Sequence, residues 1–288
     1  MAFNWIGKSA DGKTVVLHRL EDHHFQYSTC TNSDLIRTGS VVDVETTGLN
    51  HDEDKVIEVG IRQFRFNRET GELLALGPAY SAFQDPGIPI SEEITKITGI
   101  TDEMVKGQKI DWIKVDELLA SSQIMIAHNA GFDRPFIDQL STVSSKKIWG
   151  CSLRQINWEG YGFSTQKLDV LSIYHGFFND AHRALNDADS LLYLLSKKNN
   201  AGSPYLHDLL NQARKVAIQM IASQSPFESK DHLRLRNYRW DAQNKYWSKE
   251  IEKDQLQDEL KWLEEVVYQG AFRGRHFEIQ PIDHFKSQ

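Results

Sequence analysis

The stretch Val41-Val42-Asp43-Val44-Glu45-Thr46-Thr47-Gly48-Leu49 decides how the rest of the chain is read. Its pattern is that of a strand that delivers two carboxylates to one face and then stops at a turn. Side chains alternate along a strand, so Asp43 and Glu45 point one way while Val42 and Val44 point the other. Gly48 accepts backbone angles that other residues resist and is a natural terminator. Two acids side by side repel each other. A divalent cation would remove that cost; an exposed strand end would leave both acids facing solvent. Both readings fit so short a pattern, and the flanking sequence must choose.

Working outward, the apolar run at Val56, Ile57, Val59, Ile61, Phe64 and Phe66 predicts a second strand over 55–67. Glu69-Thr70-Gly71-Glu72 reads as a turn, and Leu73 to Phe83 as a third strand, so the three form an antiparallel meander. Ser91 is a candidate N-cap for a short helix, and Thr101 opens another. A buried strand at Ile124-Met125-Ile126 then runs into Ala127-His128-Asn129-Ala130-Gly131-Phe132-Asp133 and a helix over 134–140, with Pro135 in its first turn. Asp133 alone reads equally well as an acid stabilised by the helix dipole. Ile148 to Gln155 reads as a strand, and Lys167 to Tyr174 as a helix. Downstream, His182-Arg183-Ala184-Leu185-Asn186-Asp187-Ala188-Asp189 leads into a helix with an apolar stripe at Ala188, Leu191, Leu192 and Leu195. Spacing does not separate Asp187 from Asp189.

These three segments, Asp43-Val44-Glu45-Thr46-Thr47-Gly48, His128-Asn129-Ala130-Gly131-Phe132-Asp133 and His182-Arg183-Ala184-Leu185-Asn186-Asp187-Ala188, occur in this order. Together they resemble the DEDDh subgroup of DnaQ-like 3′-to-5′ exonucleases, which includes the proofreading epsilon subunit of bacterial polymerase III and oligoribonuclease-like enzymes. The resemblance covers about residues 39–198 and picks Asp187 over Asp189. It implies an α/β, ribonuclease-H-like mixed sheet of five strands flanked by helices. It also implies that Asp43, Glu45, Asp133 and Asp187 hold two divalent cations, Mg²⁺ or else Mn²⁺, directly or through water. Hard oxygen donors suit such ions, and two of them can activate water and relieve charge on the leaving 3′ oxygen. By the same resemblance His182 takes the proton from the attacking water, a role that suits an imidazole near neutral pH. The substrate contacts it implies are Thr46, Thr47, Gly48 and Leu49, with His128, Asn129 and Phe132. Leu49 would wedge beneath the terminal base.

The chain has 288 residues, 40% hydrophobic and 25% charged, with a net charge of −7. It is long enough for one large domain with additions or for two. Its charge does not attract nucleic acid globally, so a polyanion must be held by local basic patches or metal ions. Cys30 and Cys151 form no metal or disulfide framework, and no run approaches a membrane span. The expected setting is therefore the cytoplasm. His18, His23 and His24 come without ordered acids or cysteines and read as surface histidines.

Three parts are expected: a strand-rich extension over 1–38, the exonuclease domain over 39–200, and a smaller α+β module over 201–288. The polar run Lys197 to Pro204 marks the last boundary. Within the module the pattern predicts a helix from Tyr205 to Ala222, an aromatic hairpin between Leu233 and Trp247, and a helix from Glu250 to Tyr268. Between Lys230 and Lys249 six basic residues face two acids. Arg234, Arg236, Arg239, Trp240, Lys245 and Trp247 are candidates for a nucleic-acid grip by phosphate pairing and base stacking. An ordinary mini-core with a solvated basic face is the competing reading. The expected partner is a nucleic acid with a free 3′ end, DNA before RNA. Docking to a polymerase or repair machine as a proofreading subunit, or exoribonuclease action on RNA 3′ ends, are the alternatives.

Overall fold

A computed structural model describes residues 13–180, 182–242 and 244–287. Its strands are β1 (His18–Arg19), β2 (Ile36–Thr46), β3 (Val56–Asn67), β4 (Leu73–Phe83), β5 (Ile124–Ala127), β6 (Ile148–Cys151), β7 (Phe177–Phe178), β8 (Ala217–Ala222), β9 (Arg239–Asp241), β10 (Tyr246–Glu252) and β11 (Arg275–Ile279). Its α-helices are α1 (Glu92–Thr98), α2 (Asp102–Val105), α3 (Trp112–Ser121), α4 (Ala130–Leu140), α5 (Ser152–Gln155), α6 (Leu168–Tyr174), α7 (Ala184–Ser196), α8 (Tyr205–Ala213), α9 (Lys230–Leu235) and α10 (Leu256–Trp262). The chain divides into two units, one running to Ala213 and regaining the chain at Phe285, the other Arg214–His284.

The first unit is built on a five-stranded sheet in the order β4-β3-β2-β5-β6. The predicted meander is there: β2 pairs antiparallel with β3, and β3 with β4. β5 joins β2 in parallel, and β6 joins β5 in parallel, which gives the mixed ribonuclease-H-like sheet. Period-two alternation gives the sheet two apolar faces. One face, with Val41, Phe64, Ile124 and Ile126, is covered by Leu191, Leu192 and Leu195 of α7 and Leu206, Leu209 and Leu210 of α8. The other, with Val42, Val44, Val59 and Ile61, is covered by Val115 and Leu119 of α3 and Phe136 and Ile137 of α4. Each such side chain, once fully buried, contributes about 1.5–3 kcal/mol. Asp43 and Glu45 share the face of Val41 and so point toward α7.

Several boundaries differ from expectation. The polar run at 197–204 is a turn within the first unit. Asn199 Oδ1 accepts from Ala201 N and Ser203 N, Lys198 bridges to Pro204, and Tyr205 N donates to Lys197 O. This turns α8 back onto the sheet, where Gly150 leaves room for it: a Cβ there would lie 2.5 Å from Leu209 Cδ2. The division therefore falls after Ala213. Residues 13–35 hold β1, two short 3₁₀ turns and a lone bridge position at Val15, and Leu20 and Phe25 enter the first unit's core; residues 1–12 lie outside the described chain. After β6 the backbone coils directly into α5, where a longer strand was expected.

The second unit has an antiparallel sheet in the order β11-β8-β10-β9. The helix expected to continue to Ala222 stops at Ala213, and Ala217–Ala222 is the six-residue strand β8, every residue buried. A short apolar run reads alike as a buried helix or a central strand. The aromatic hairpin forms as β9 and β10, with Trp240 opposite Trp247. Glu250–Glu252 belong to β10, so the following α-helix begins only at Leu256 and passes into a π-helix at Leu263–Tyr268. Among the described residues no helix is long and apolar enough to cross a membrane.

Candidate active site

β2 carries Asp43 and Glu45 toward its C-terminal end, opposite Gly60 and Glu58 of β3, and its register shifts directly after Glu45. The chain leaves through a tight loop organised by Asp54. Its Oδ1 accepts from Thr47 Oγ1 at 3.1 Å and its Oδ2 from Asn50 N at 2.8 Å. A Cβ at Gly48 would lie 2.5 Å from that carboxylate, so a larger residue there would have to displace the Asp54 side chain that organises the loop. Thr46 Oγ1 donates to Gly48 O. Leu49, at the loop's tip, is 85% exposed.

Asp133 lies in the first turn of α4, buried, and its Oδ1 accepts from Val44 N at 3.2 Å. That bond fastens the helix to the strand between the two acids of the first motif. Asp187 lies in the first turn of α7, and its Oδ2 accepts from His182 N at 2.9 Å. The turn that makes this possible puts His182 at φ 63°, a left-handed conformation uncommon outside glycine. α7 reaches the sheet so closely because β3 has glycine at 60. A Cβ there would stand 2.1 Å from the Ala184 carbonyl carbon. Donor atoms of Glu45, His182 and Asp187 all lie within 4.8 Å of one another. Asp189 points elsewhere: it is paired with Arg62 Nε at 2.6 Å.

The electrostatics follow from crowding acids into a partly dehydrated cleft. Asp43 is pushed well above the carboxylate range by burial first, then by Asp133, Asp187, Glu45 and Glu58. Glu45 is raised to about 8 by burial and then by Asp187, Glu58 and Asp133. Asp133 rises to about 7 through burial, against the pull of the Val44 N–H, and Asp187 to about 6, against the His182 N–H. An all-oxygen carboxylate set that is this costly to ionise fits a hard divalent cation, which would neutralise it.

The four acids and His182 named from sequence thus lie at one end of the sheet. Thr46 to Leu49 border them on the Asp54 loop. His128 was expected among the substrate contacts, but both of its ring nitrogens are engaged. Nδ1 meets Ser152 Oγ at 2.7 Å and Nε2 meets Gln166 O at 2.8 Å, and burial lowers its pKa. It props the second motif. Asn129 is exposed at the start of α4, and Phe132 is partly buried, 5.2 Å from the Phe136 ring. Glu58 and Gly60 were not singled out from sequence. The signal was present: in Val56-Ile57-Glu58-Val59-Gly60-Ile61 an acid and a glycine occupy successive positions on one face of an otherwise apolar strand.

The RNase T exonuclease family matches residues 40–195, more than half of the chain, and all five residues fall within that span. The chain belongs to the RNase T exonuclease family. It is a DnaQ-like 3′-to-5′ exonuclease by that match, and the ordered acids and histidine of its three motifs lie within the matched span. Among curated relatives, the PolC-type DNA polymerase III of Listeria innocua is 33% identical over 168 residues, covering 56% of this chain and 11% of the polymerase. That of Lacticaseibacillus paracasei is 34% identical over 185 residues, 60% of this chain and 12% of the polymerase. The exonuclease chain thus spans about a tenth of the length of these relatives. Among solved structures, exonuclease X in complex with 5′-overhanging duplex DNA aligns at TM-score 0.42 and 22% identity, over 55% of this chain and 89% of that one. E. coli exonuclease I in complex with a dA16 oligonucleotide aligns at TM-score 0.47 and 15% identity, over 64% and 48%.

In the second unit of this family member the basic residues divide. Arg236 Nε meets both oxygens of buried Glu259, at 3.2 and 3.1 Å, and its guanidinium stacks 4.5 Å from the Trp262 ring. Trp247 is partly buried against that unit's core, and Arg234 pairs with Asp231 at the surface. Arg239, Trp240 and Lys245 are exposed.

Proposed function

We propose that this exonuclease hydrolyses the terminal phosphodiester at DNA 3′ ends and releases nucleoside 5′-monophosphates. The observation that carries the proposal is the meeting of Asp43, Glu45, Asp133 and Asp187 with His182 at one end of the sheet. Asp43, Glu45, Asp133 and Asp187 would hold two Mg²⁺ ions, or Mn²⁺, which when bound supply an acidified water and charge relief at the phosphoryl group. The imidazole of His182, exposed beside the acids, takes the proton from the attacking water. The His182 N–H to Asp187 bond keeps base and carboxylate in fixed relation. The rigid Thr46–Gly48 backbone receives the terminal nucleotide, and exposed Leu49 offers apolar surface to its base. Asn129 and Phe132, at the start of α4, flank the same nucleotide. Arg239, Trp240 and Lys245 are the remaining candidates to grip a longer strand.

DNA is favoured by the PolC-type polymerases among the relatives. The same relatives favour a second reading, in which the chain proofreads beside a polymerase. Purified protein given matched single-stranded DNA, duplex DNA and RNA with Mg²⁺ tests the choice. Faster release of mononucleotides from DNA 3′ ends is expected; a preference for RNA would overturn the DNA assignment. Activity that appears only when a polymerase is added would favour the second reading.

A further inference from the structure

A helix begins with backbone N–H groups that need acceptors from outside it. Arg183, the residue before α7, has no side-chain acceptor to offer. The N–H of Ala184, first residue of the helix, finds its partner on another element: Glu58 Oε2 on β3, at 3.3 Å. The same oxygen lies 3.5 Å from Arg183 Nη1, and the Arg183 guanidinium lies 5.0 Å from the Phe83 ring centroid. Glu58 is only 3% exposed and stands directly opposite Glu45 in the β2–β3 ladder.

A fifth carboxylate beside four others adds to their repulsion, so its place there calls for a compensating contact. Arg183 and the start of α7 provide one, by charge and by hydrogen bond. The contact is also well placed to transmit position. His182 lies two residues before Ala184 and Asp187 three residues after it. Asn179 Nδ2 donates to Asn186 O, and Asn186 Nδ2 to Asp180 O, which ties the His182 loop to the helix. Arg62 ties α7 to β3 further along, at Asp189. Glu58 ties the first residue of the helix to the strand next to the first motif.

We propose that Glu58 is a positioning residue of the exonuclease site, holding the start of α7, and with it His182 and Asp187, in register with Asp43 and Glu45. The inference rests on the roles given above to His182 and Asp187. It concerns where the oxygen of residue 58 lies, rather than its charge, and two conservative variants separate those properties. Glu58→Gln keeps an acceptor at the same reach without the charge. Glu58→Asp keeps the charge but withdraws the acceptor by one methylene.

The test measures kcat and KM on a short DNA oligonucleotide with Mg²⁺, thermal midpoint, and Mn²⁺ affinity by calorimetry on the protein alone. Glu58→Gln should stay within about threefold of wild type in kcat and in Mn²⁺ affinity. Glu58→Asp should lose on the order of 100-fold in kcat, as expected of a misplacement near 1 Å, with KM changed less than about threefold and Mn²⁺ bound more weakly. The reverse order, Gln impaired and Asp intact, would assign the role to charge and overturn the proposal. So would two variants that lower the thermal midpoint and leave kcat and Mn²⁺ affinity alone. His182→Ala, measured alongside, tests the base separately. If it keeps the wild-type rate, the base reading fails, while the Mn²⁺ arm still reports on Glu58 through Asp187.

Discussion

Gly60→Ala is the smallest change that tests how the site is assembled. Position 60 faces Asp43 across the ladder, and α7 lies directly on it. An added Cβ would stand 2.1 Å from the Ala184 carbonyl carbon and 2.2 Å from Leu185 N, where ordinary contact begins at 3.4 Å. Both obstacles are backbone, so the start of α7 must retreat by about 1.3 Å. That retreat carries His182 and Asp187 away from Asp43 and Glu45. A displacement near 1 Å at reacting groups costs on the order of 100-fold in rate, and overpacking costs about 1–3 kcal/mol of stability. The assay is kcat on a 3′-labelled oligonucleotide, with the thermal midpoint as control. A folded Gly60→Ala protein whose kcat stays within about threefold of wild type would refute the claim that this contact sets the catalytic register.

The metal-free protein should lose stability as pH rises. Folded-state pKa values of about 8, 7 and 6 for Glu45, Asp133 and Asp187 lie above the ordinary carboxylate range. The stabilisation from holding those protons is complete below that range and is lost as pH climbs through 6 to 8. Thermal melts in chelator should therefore fall over that window and recover with Mg²⁺; a flat or rising metal-free curve would contradict the crowding described. Asp187→Asn should lower kcat by about 100-fold or more. Asp189→Asn should instead weaken the Arg62 pair, cost about 1–3 kcal/mol of stability and leave kcat within about threefold; a kinetic comparison of the two variants decides. Arg236→Ala should destabilise the second unit by removing the two-oxygen contact to buried Glu259, which would keep only Lys249 as a basic partner, at 3.5 Å, without changing the salt dependence of DNA binding. Arg239→Ala and Lys245→Ala should each reduce the salt slope by about one. Filter-binding titrations at several salt concentrations read both effects.

The sheet was legible because its signals are local. Val41–Glu45, the alternation in β3 and the turn at Glu69–Glu72 each specify strand or turn within a few residues. The acid set was legible as an ordered pattern; spacing alone did not separate Asp187 from Asp189, the motif resemblance did, and packing puts Asp187 in the first turn of α7 beside His182 and Asp189 on Arg62. The contacts that hold the site together were harder to read because they join residues distant in sequence. Glu58 meets Ala184 across 126 positions, and Gly60 matters only for what lies on top of it. The supports of His128 were unreadable for the same reason, since Ser152 and Gln166 come from later segments. In the second unit, Ala217–Ala222 has an apolar pattern that helix and strand share, and its pairing with both β10 and β11 selects the strand.

The central claim is that one cluster, Asp43, Glu45, Asp133 and Asp187 with His182, performs metal-dependent hydrolysis at a 3′ end. Its most direct test is digestion of 5′-labelled single-stranded DNA by wild type, Asp43→Asn and His182→Ala, with Mg²⁺ and with chelator. Wild type with Mg²⁺ should shorten the strand one nucleotide at a time from the 3′ end and release 5′-monophosphates. Chelator and Asp43→Asn should abolish this, and His182→Ala should slow it strongly while Mn²⁺ still binds. Undiminished shortening by Asp43→Asn, or in chelator, would contradict the account.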